Sequence, residues 1–313
     1  MIISLKETAE RLKTANELIL TAHISPDGDA IGSCLGLKYI LEQLGKKVRI
    51  IIDDDVPSFL KILSGYNDIE KPQEESYQAD YLVILDACLD RVGSLVEKCK
   101  APVLNIDHHA TNDKRADYLY LAAERAATAE IVFDLGQELG VEFDKESATA
   151  VYIGLATDTG YFKYSNTSPH TMRTAAALLE KGVRPETISE AIETKDFAIV
   201  RGLAKALQTV ELFADGRAAG LFLEYDLTET IETTEGFIDE IRIIDGVDVA
   251  VLIKAVQPEV CRVSMRSKVT DVSKLAARLG GGGHKKAAGC TIYKNLYDTK
   301  HYLMDEIIKS LEV

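Results

Sequence analysis

His23-Ile24-Ser25-Pro26-Asp27-Gly28-Asp29 joins two segments of opposite character. Before it, Leu18-Ile19-Leu20-Thr21-Ala22 is a short apolar run of the kind that forms a buried strand. After it, Ala30 to Leu44 carries apolar residues at helical spacing. Pro26 and Gly28 impose a tight turn between the two, Gly28 through backbone angles that other residues resist. One imidazole and two carboxylates thus arrive where a strand ends and a helix begins. In an open parallel sheet, ligands bind at that edge. The turn alone also has a bland reading, with Asp29 capping the helix, Asp27 serving the turn and His23 half buried.

The rest of the chain decides between these readings, because later apolar runs also end in acid or histidine. Segments 17–22, 47–52, 81–86 and 102–107 are short apolar runs separated by helical stretches. That alternation predicts an α/β domain with a doubly wound parallel sheet. The third run ends in Asp86 and the fourth in Asp107-His108-His109. Tyr118 to Leu121 is a candidate fifth strand, and Pro57 to Leu63 a short helix. Helical periods follow over Thr128–Leu139, Lys145–Thr157 and Ser168–Glu180, and Asp158 follows the second of them.

From about Pro185 to Leu207 the pattern reads as a helical linker. Beyond it, Asp215-Gly216 and Gln257-Pro258-Glu259 each separate two apolar runs, as in hairpins. Helices are expected over Thr234–Ile244, Asp271–Leu279 and Leu296–Leu311, and a closing strand over Cys290–Tyr293. Gly280-Gly281-Gly282-Gly283-His284 reads as a loop after the middle helix. The expected organisation is a first domain over 1–184, a helical linker over 185–207 and a smaller α+β domain over 208–313.

Composition narrows the function classes. The net charge of −14 disfavours gripping a long nucleic acid by charge. No apolar run approaches a membrane span. The first sixteen residues resemble an amphipathic helix and lack the apolar stretch of a signal peptide. Five scattered cysteines form no CxxC pair, which fits a reduced, cytoplasmic protein without a cysteine zinc site. Asp53-Asp54-Asp55 reads as a solvated loop. His170 and His301 stand outside any cluster on helices and read as structural.

The polar strand ends are His23, Asp27, Asp29, Asp86, Asp107, His108, His109 and Asp158. Imidazole with carboxylate suits manganese, iron or zinc, and oxygen-rich sets suit magnesium and manganese. Four aspartates packed together would repel one another and raise each other's pKa. Two divalent cations would neutralise them, and a two-metal centre clamps both oxygens of a displacement at phosphorus.

In their order along the chain, His23-x-x-x-Asp27-x-Asp29, Asp86, Asp107-His108-His109 and Asp158 resemble the DHH phosphoesterase superfamily. Arg262-Val-Ser264-Met-Arg266-Ser-Lys268 and Gly280 to Gly289 resemble that family's DHH-associated C-terminal domain. The compact two-domain size is most similar to the bacterial NrnA-type oligoribonucleases that are also 3′-phosphoadenosine 5′-phosphate phosphatases. The resemblance implies one metal held by His23, Asp27 and Asp86, and a second by Asp29, Asp86, His108 and Asp158. It implies manganese first, with magnesium or cobalt as alternatives. His109 would meet the substrate phosphate, with Asp86 and Asp107 completing the catalytic set. Asp107 either orients its neighbouring histidines or is a strand-end hydrogen-bonder. The adjacent His108 and His109 are expected to face apart, one to metal and one to substrate.

Substrate recognition would fall to Arg262, Ser264, Arg266, Gly281, Gly282, Gly283 and His284 in a cleft between the domains. Alternation along a strand puts Arg262, Ser264 and Arg266 on one face. A solvated basic face is the competing reading. Expected substrates are short oligoribonucleotides, released as nucleoside 5′-monophosphates, and 3′-phosphoadenosine 5′-phosphate, released as AMP. Partners would be those substrates, without long nucleic acid or membrane, and a homodimer is left open. The rivals are a cyclic- or linear-dinucleotide phosphodiesterase, a family II pyrophosphatase and a non-enzymatic nucleotide-sensing module. A dehydrogenase is disfavoured because no dinucleotide fingerprint follows the first strand.

Overall fold

The computed structural model describes residues 1–231, 233–234 and 236–311, with only the backbone of His284. The chain divides into two compact units, Met1–Thr194 and Lys195–Val313.

In the first unit, helix α1 (Leu5–Thr14) leads into β1 (Glu17–Thr21), α2 (Gly28–Gln43) and β2 (Lys47–Ile50). Then come β3 (Tyr81–Leu85), α3 (Leu95–Lys98), β4 (Val103–Asp107) and β5 (Tyr118–Leu121). The five strands are parallel in the order β2-β1-β3-β4-β5. Continuous apolar runs make β1, β3 and β4 because both sheet faces are covered there, whereas edge strand β2 alternates exposed and buried residues. Helices α4 (Thr128–Leu139), α5 (Lys145–Asp158), α6 (Pro169–Glu180) and α7 (Pro185–Glu193) complete the unit. Leu20, Val83, Leu85 and Leu104 pack on one face with side chains of α1, α2, α4 and α5. Ile19, Leu82 and Ile84 pack on the other with Tyr77, Val92 and Leu95. The chain builds outward from β1 in both directions, so β1 and β3 border a switch point where a crevice opens at the strand ends.

The contact of α2 with α5 depends on glycine. Gly28, Gly32 and Gly36 recur once per turn along one face of α2. A Cβ at Gly32 would collide with the Ala150 carbonyl and with Gly154 on α5, and one at Gly28 with Thr157. The backbones therefore approach closely, and Asp158 at the end of α5 lies beside the start of α2.

In the second unit, α8 (Phe197–Leu207) precedes β6 (Glu211–Phe213), β7 (Ala218–Leu223), α9 (Tyr225–Glu229) and α10 (Phe237–Arg242). There follow β8 (Val249–Gln257), β9 (Val260–Ser267), α11 (Val272–Arg278), β10 (Gly282–His284), β11 (Ala287–Ile292) and α12 (Leu296–Leu311). The sheet runs β10-β11-β9-β8-β7-β6, antiparallel except for the β7–β8 pair. Val251, Ile253, Val263, Met265 and Cys290 form one face, buried with α11 and α12. On the opposite face, α10 residues Phe237 and Ile241 cover Ala219, Leu221, Ala250 and Leu252.

Four details differ from the sequence reading. The stretch 185–207 forms two helices, α7 and α8, and the division between units falls between them. The helix expected over Thr234–Ile244 is confined to Phe237–Arg242, and Glu235 lies outside the described residues. Pro57–Leu63 holds a 3-10 turn, Ser58–Ile62, in place of an α-helix. The end of the glycine run is strand β10, joined to β11 across Lys285-Lys286. Glycine is tolerated there because β10 lies at the sheet edge and packs closely on β11; a Cβ on Gly281 or Gly283 would strike β11 backbone.

Candidate metal centre

Each residue of the centre lies at or just beyond the end of a strand or helix. Asp27 caps α2, its Oδ1 accepting from the Asp29 and Ala30 amides at 3.0 Å each. The bland reading of the first turn is thus reassigned: Asp27, not Asp29, caps that helix. Asp29 instead serves α4, ninety-nine residues away. Its Oδ2 accepts from the Thr128 amide at 2.7 Å and its Oδ1 from the Ala129 amide at 2.8 Å and the Ser33 hydroxyl at 3.1 Å. An anion at a helix N-terminus is favoured by the unpaired amides and the helix dipole.

Asp86 follows β3 with its backbone in the left-handed region, φ 59°, a conformation that costs energy outside glycine and clusters at functional sites. It is buried, and its Oδ1 accepts from the Thr128 hydroxyl at 3.0 Å. Its carboxylate is central to the cluster. His23 Nε2 lies 3.5 Å from Asp86 Oδ2 and 3.8 Å from Asp27 Oδ2. His108 Nε2 lies 3.4 Å from Asp86 Oδ1, 3.7 Å from Asp158 Oδ2 and 3.9 Å from Asp29 Oδ2.

The imidazoles are held from behind. His23 Nδ1 is 2.9 Å from the Ile24 carbonyl and His108 Nδ1 is 3.2 Å from the Arg125 carbonyl. Both rings thereby turn Nε2 toward the carboxylates, the arrangement that orients histidine on a metal. His108 Nε2 is buried without a hydrogen-bond partner, since 3.4 Å and more is too long for one. An unpartnered buried imidazole nitrogen facing three carboxylates fits a cation between them. Two such groups are His23/Asp27/Asp86 and Asp29/His108/Asp158, with ligating atoms within 4.8 Å of one another.

His109 departs from the expected geometry. Its ring does not diverge from His108; their centroids are 4.4 Å apart, and His109 Nδ1 is 3.6 Å from Asp86 Oδ1. β4 has ended at Asp107, so strand alternation no longer applies. Asp86, His108 and His109 form a third candidate ligand group. Asp107 is fully buried and holds His109, accepting from its amide at 3.0 Å and lying 2.8 Å from its Nδ1. Asn112 Nδ2 donates to Asp107 Oδ2 at 2.6 Å and to Asn105 Oδ1 at 2.8 Å.

Residues 17–155 match the DHH family, N-terminal domain, and residues 222–311 match the DHHA1 domain. The chain is 36% identical over 288 residues to the bifunctional oligoribonuclease and PAP phosphatase NrnA of Thermus thermophilus, covering 91% of this chain and 87% of the relative. The chain belongs to the DHH family. The NrnA of Bacillus subtilis is 27% identical, over 92% and 93% of the two chains. A crystal structure of an exopolyphosphatase-related protein from Bacteroides fragilis superposes with a TM-score of 0.90 at 26% identity, over 99% of this chain and 97% of that one.

The electrostatics of the DHH centre follow from burial and crowding. Burial opposes a charged imidazole at His23, yet the Asp27 and Asp86 carboxylates outweigh it and raise its pKa to about 10. Burial opposes charge at His108 too, and Asp86 and Asp29 raise its pKa to about 10. Burial, then the Asp86 and Asp158 charges, push Asp29 well above the usual carboxylate range. Burial is also the main reason Asp158 rises to about 6. At Asp86 burial is overcome by His108 and His23, which hold its carboxyl far below the usual range. The crowded carboxylates thus leave the metal-free centre short of positive charge, which favours protons on its imidazoles until cations take their place.

Several members of the DHH centre escaped the sequence reading. Thr128, Ser33, Asn105 and Asn112 are buried polar residues that steady Asp86, Asp29 and Asp107. Asn105, in the middle of an otherwise apolar strand, was a legible signal. Asp53 and Asp54 are not merely solvated: Asp54 Oδ2 accepts from the Ser25 amide at 2.7 Å and Asp53 Oδ2 from the Ser94 amide at 2.8 Å. His170 is also not isolated. Its Nε2 is 3.0 Å from Asp134 Oδ1, and Asp134 Oδ2 accepts from Arg125, whose carbonyl holds His108.

In the DHHA1 domain, Arg262 is exposed while Ser264 and Arg266 are half-buried on the same face of β9, alternating with buried Cys261, Val263 and Met265. Arg266 Nη1 donates to the Met265 carbonyl at 3.1 Å. Gly281, Gly282 and Gly283 are exposed, but only Gly282 has open space around a would-be Cβ. The His284 side chain lies outside the described residues.

Proposed function

We propose that this chain is a two-metal phosphohydrolase that degrades short oligoribonucleotides to nucleoside 5′-monophosphates and dephosphorylates 3′-phosphoadenosine 5′-phosphate to AMP. The observation that carries the reading is the unpartnered, buried His108 Nε2 facing Asp29, Asp86 and Asp158. The likeness to NrnA of Thermus thermophilus over 91% of this chain supports the substrates.

His23, Asp27 and Asp86 would hold one cation and Asp29, Asp86, His108 and Asp158 the other, with manganese preferred over magnesium or cobalt. Such ions, when bound, supply Lewis-acid polarisation of a phosphate and a lowered pKa for water. Asp107 orients His109, whose imidazole donates a hydrogen bond or proton to the phosphate. The buried floor of the site keeps these groups in place before substrate arrives. Arg262, Ser264, Arg266, Gly281, Gly282, Gly283 and His284 would receive the nucleotide, since guanidinium suits phosphate and exposed glycine leaves the backbone accessible. Long nucleic acid is disfavoured by the net charge of −14. A cytoplasmic setting fits five cysteines that are all free. Among the described residues no helix is long and apolar enough to cross a membrane.

The test is a side-by-side assay of the purified protein with manganese or with chelator. Substrates are a trinucleotide RNA, 3′-phosphoadenosine 5′-phosphate, a cyclic dinucleotide and pyrophosphate. Turnover of the first two, abolished by chelator, is expected. Exclusive turnover of the cyclic dinucleotide or of pyrophosphate, or activity that survives chelation, would overturn the reading.

A further inference from the structure

The second unit holds two cations side by side on neighbouring strands of its sheet. Lys254 on β8 is directly paired with Arg262 on β9. Like charges at opposed positions destabilise a strand pair. Lys254 is half-buried, and its Nζ donates to the Thr234 hydroxyl at 3.1 Å. Burial, and then the Arg262 charge, lower its pKa. Among the described residues neither cation forms an ion pair with a carboxylate. A strand pair that tolerates this repulsion is relieved when an anion sits between the two groups.

The space for an anion is present. Lys254 and Arg262 line a cavity of about 740 Å³ with Ser264, Gly281, Thr291 and Tyr293. Thr291 is the β11 partner of Arg262, so Lys254, Arg262 and Thr291 form one row across three strands. Tyr293, just past β11, is 80% exposed. An aromatic ring left in water beside paired cations is the combination that binds single-stranded nucleic acid, through stacking and backbone charge. Arg266 lies four residues from Arg262 on the same strand face, roughly 13 Å along the sheet. Arg262 and Arg266, the two ends of a second row that runs along β9, can therefore meet different nucleotides of one strand.

We propose that Lys254, Arg262 and Tyr293 form a subsite for a second nucleotide of an oligoribonucleotide, with its phosphate between the two cations and its base on the Tyr293 ring. The subsite rests on the reading of the enzyme as an oligoribonuclease and adds a reason for its choice of substrate. A mononucleotide bisphosphate cannot occupy both ends of this second row, whereas a trinucleotide can. Lys254 and Tyr293 therefore favour short RNA over 3′-phosphoadenosine 5′-phosphate.

The experiment uses the full chain and the variants Lys254→Gln and Tyr293→Ala. With manganese, kcat/KM is measured on a trinucleotide RNA and on 3′-phosphoadenosine 5′-phosphate. Separately, equilibrium binding of a phosphorothioate trinucleotide is measured against salt in chelator. For Tyr293→Ala we expect roughly a tenfold loss on the trinucleotide, and for Lys254→Gln about a fivefold loss with a shallower salt dependence. Values on 3′-phosphoadenosine 5′-phosphate should stay at wild type. Equal losses on both substrates, or no loss on either, would overturn the subsite. If the wild type turns over neither substrate, the enzymatic reading fails. Weaker trinucleotide binding by the variants would then still sustain the subsite, and unchanged binding would remove it.

Discussion

The two units are incomplete in opposite senses. At the edge of the first sheet, Asp27, Asp29, Asp86 and Asp158 gather around imidazoles, a set that needs cations. On the second sheet, Lys254 and Arg262 lie side by side on neighbouring strands, a pair that needs an anion. The difference in burial is the instructive part. Asp29 and Asp86 are almost inaccessible, and each is held by fixed donors: amides of α4, the Ser33 hydroxyl and the Thr128 hydroxyl. Buried charge is tolerated only where hydrogen bonds and neighbours hold it, so its geometry is set in advance. Arg262, by contrast, is exposed and solvated. Changes in the first region should therefore act on metal content, stability and kcat, and changes in the second on KM and substrate choice.

The largest expected effect tests the first half of that contrast. Asp86→Ala removes the carboxylate shared by the two proposed metal positions, and should lower kcat by at least ~100-fold with loss of bound metal. A variant that keeps wild-type kcat and two metals per chain would make the centre as tolerant as a surface, and the contrast would collapse.

His109→Ala comes next, because it separates ligation from substrate contact. We expect a fall in kcat of about 100-fold with metal content near wild type. Elemental analysis showing metal loss would place His109 among the ligands, in the group with Asp86 and His108.

A pH series on metal-free protein probes the charge deficit itself. His23 and His108 rise from 6.5 to about 10 on folding, so their contribution to stability is complete below pH 6.5 and lost as pH climbs toward 10. Asp158, raised from 3.8 to about 6, acts in the same direction but in a lower window, lowering stability as pH rises from 3.8 to about 6 and adding no slope above it. Thermal melts in chelator should thus fall by several degrees between pH 6.5 and 9. Bound metal replaces the protons on the histidines, so the metal-loaded protein should lose less over the same range. Equal pH slopes with and without metal would mean that the imidazoles do not meet the cations.

The smallest effect belongs to the second unit. Arg266→Ala should raise KM for short RNA by roughly tenfold while leaving metal content and melting temperature unchanged. Steady-state kinetics would show it, and a matching loss in kcat would mean that Arg266 reaches the transition state.

Much of this protein was legible in its sequence. Short apolar runs ending in Asp86 and Asp107 gave the parallel strands, and Pro26 marked the turn that starts α2, although Ser25 (φ 54°) takes the left-handed backbone there and Gly28 is instead required by its close approach to Thr157. The alternation of Arg262, Ser264 and Arg266 with Cys261, Val263 and Met265 gave the polar face of β9. These are local properties, set by side-chain period and turn chemistry. What only the tertiary structure decided depends on contacts between segments far apart in the chain. Asp29 caps a helix that begins ninety-nine residues later, and nothing near Asp29 announces it. His109 turns toward Asp107 and Asp86 instead of away from His108 because the strand has ended, so local alternation no longer fixes its direction. Lys254 carried no signal beside its neighbours in sequence; strand register set it against Arg262. Burial and register are properties of the folded whole, and they determine which charges must share one space.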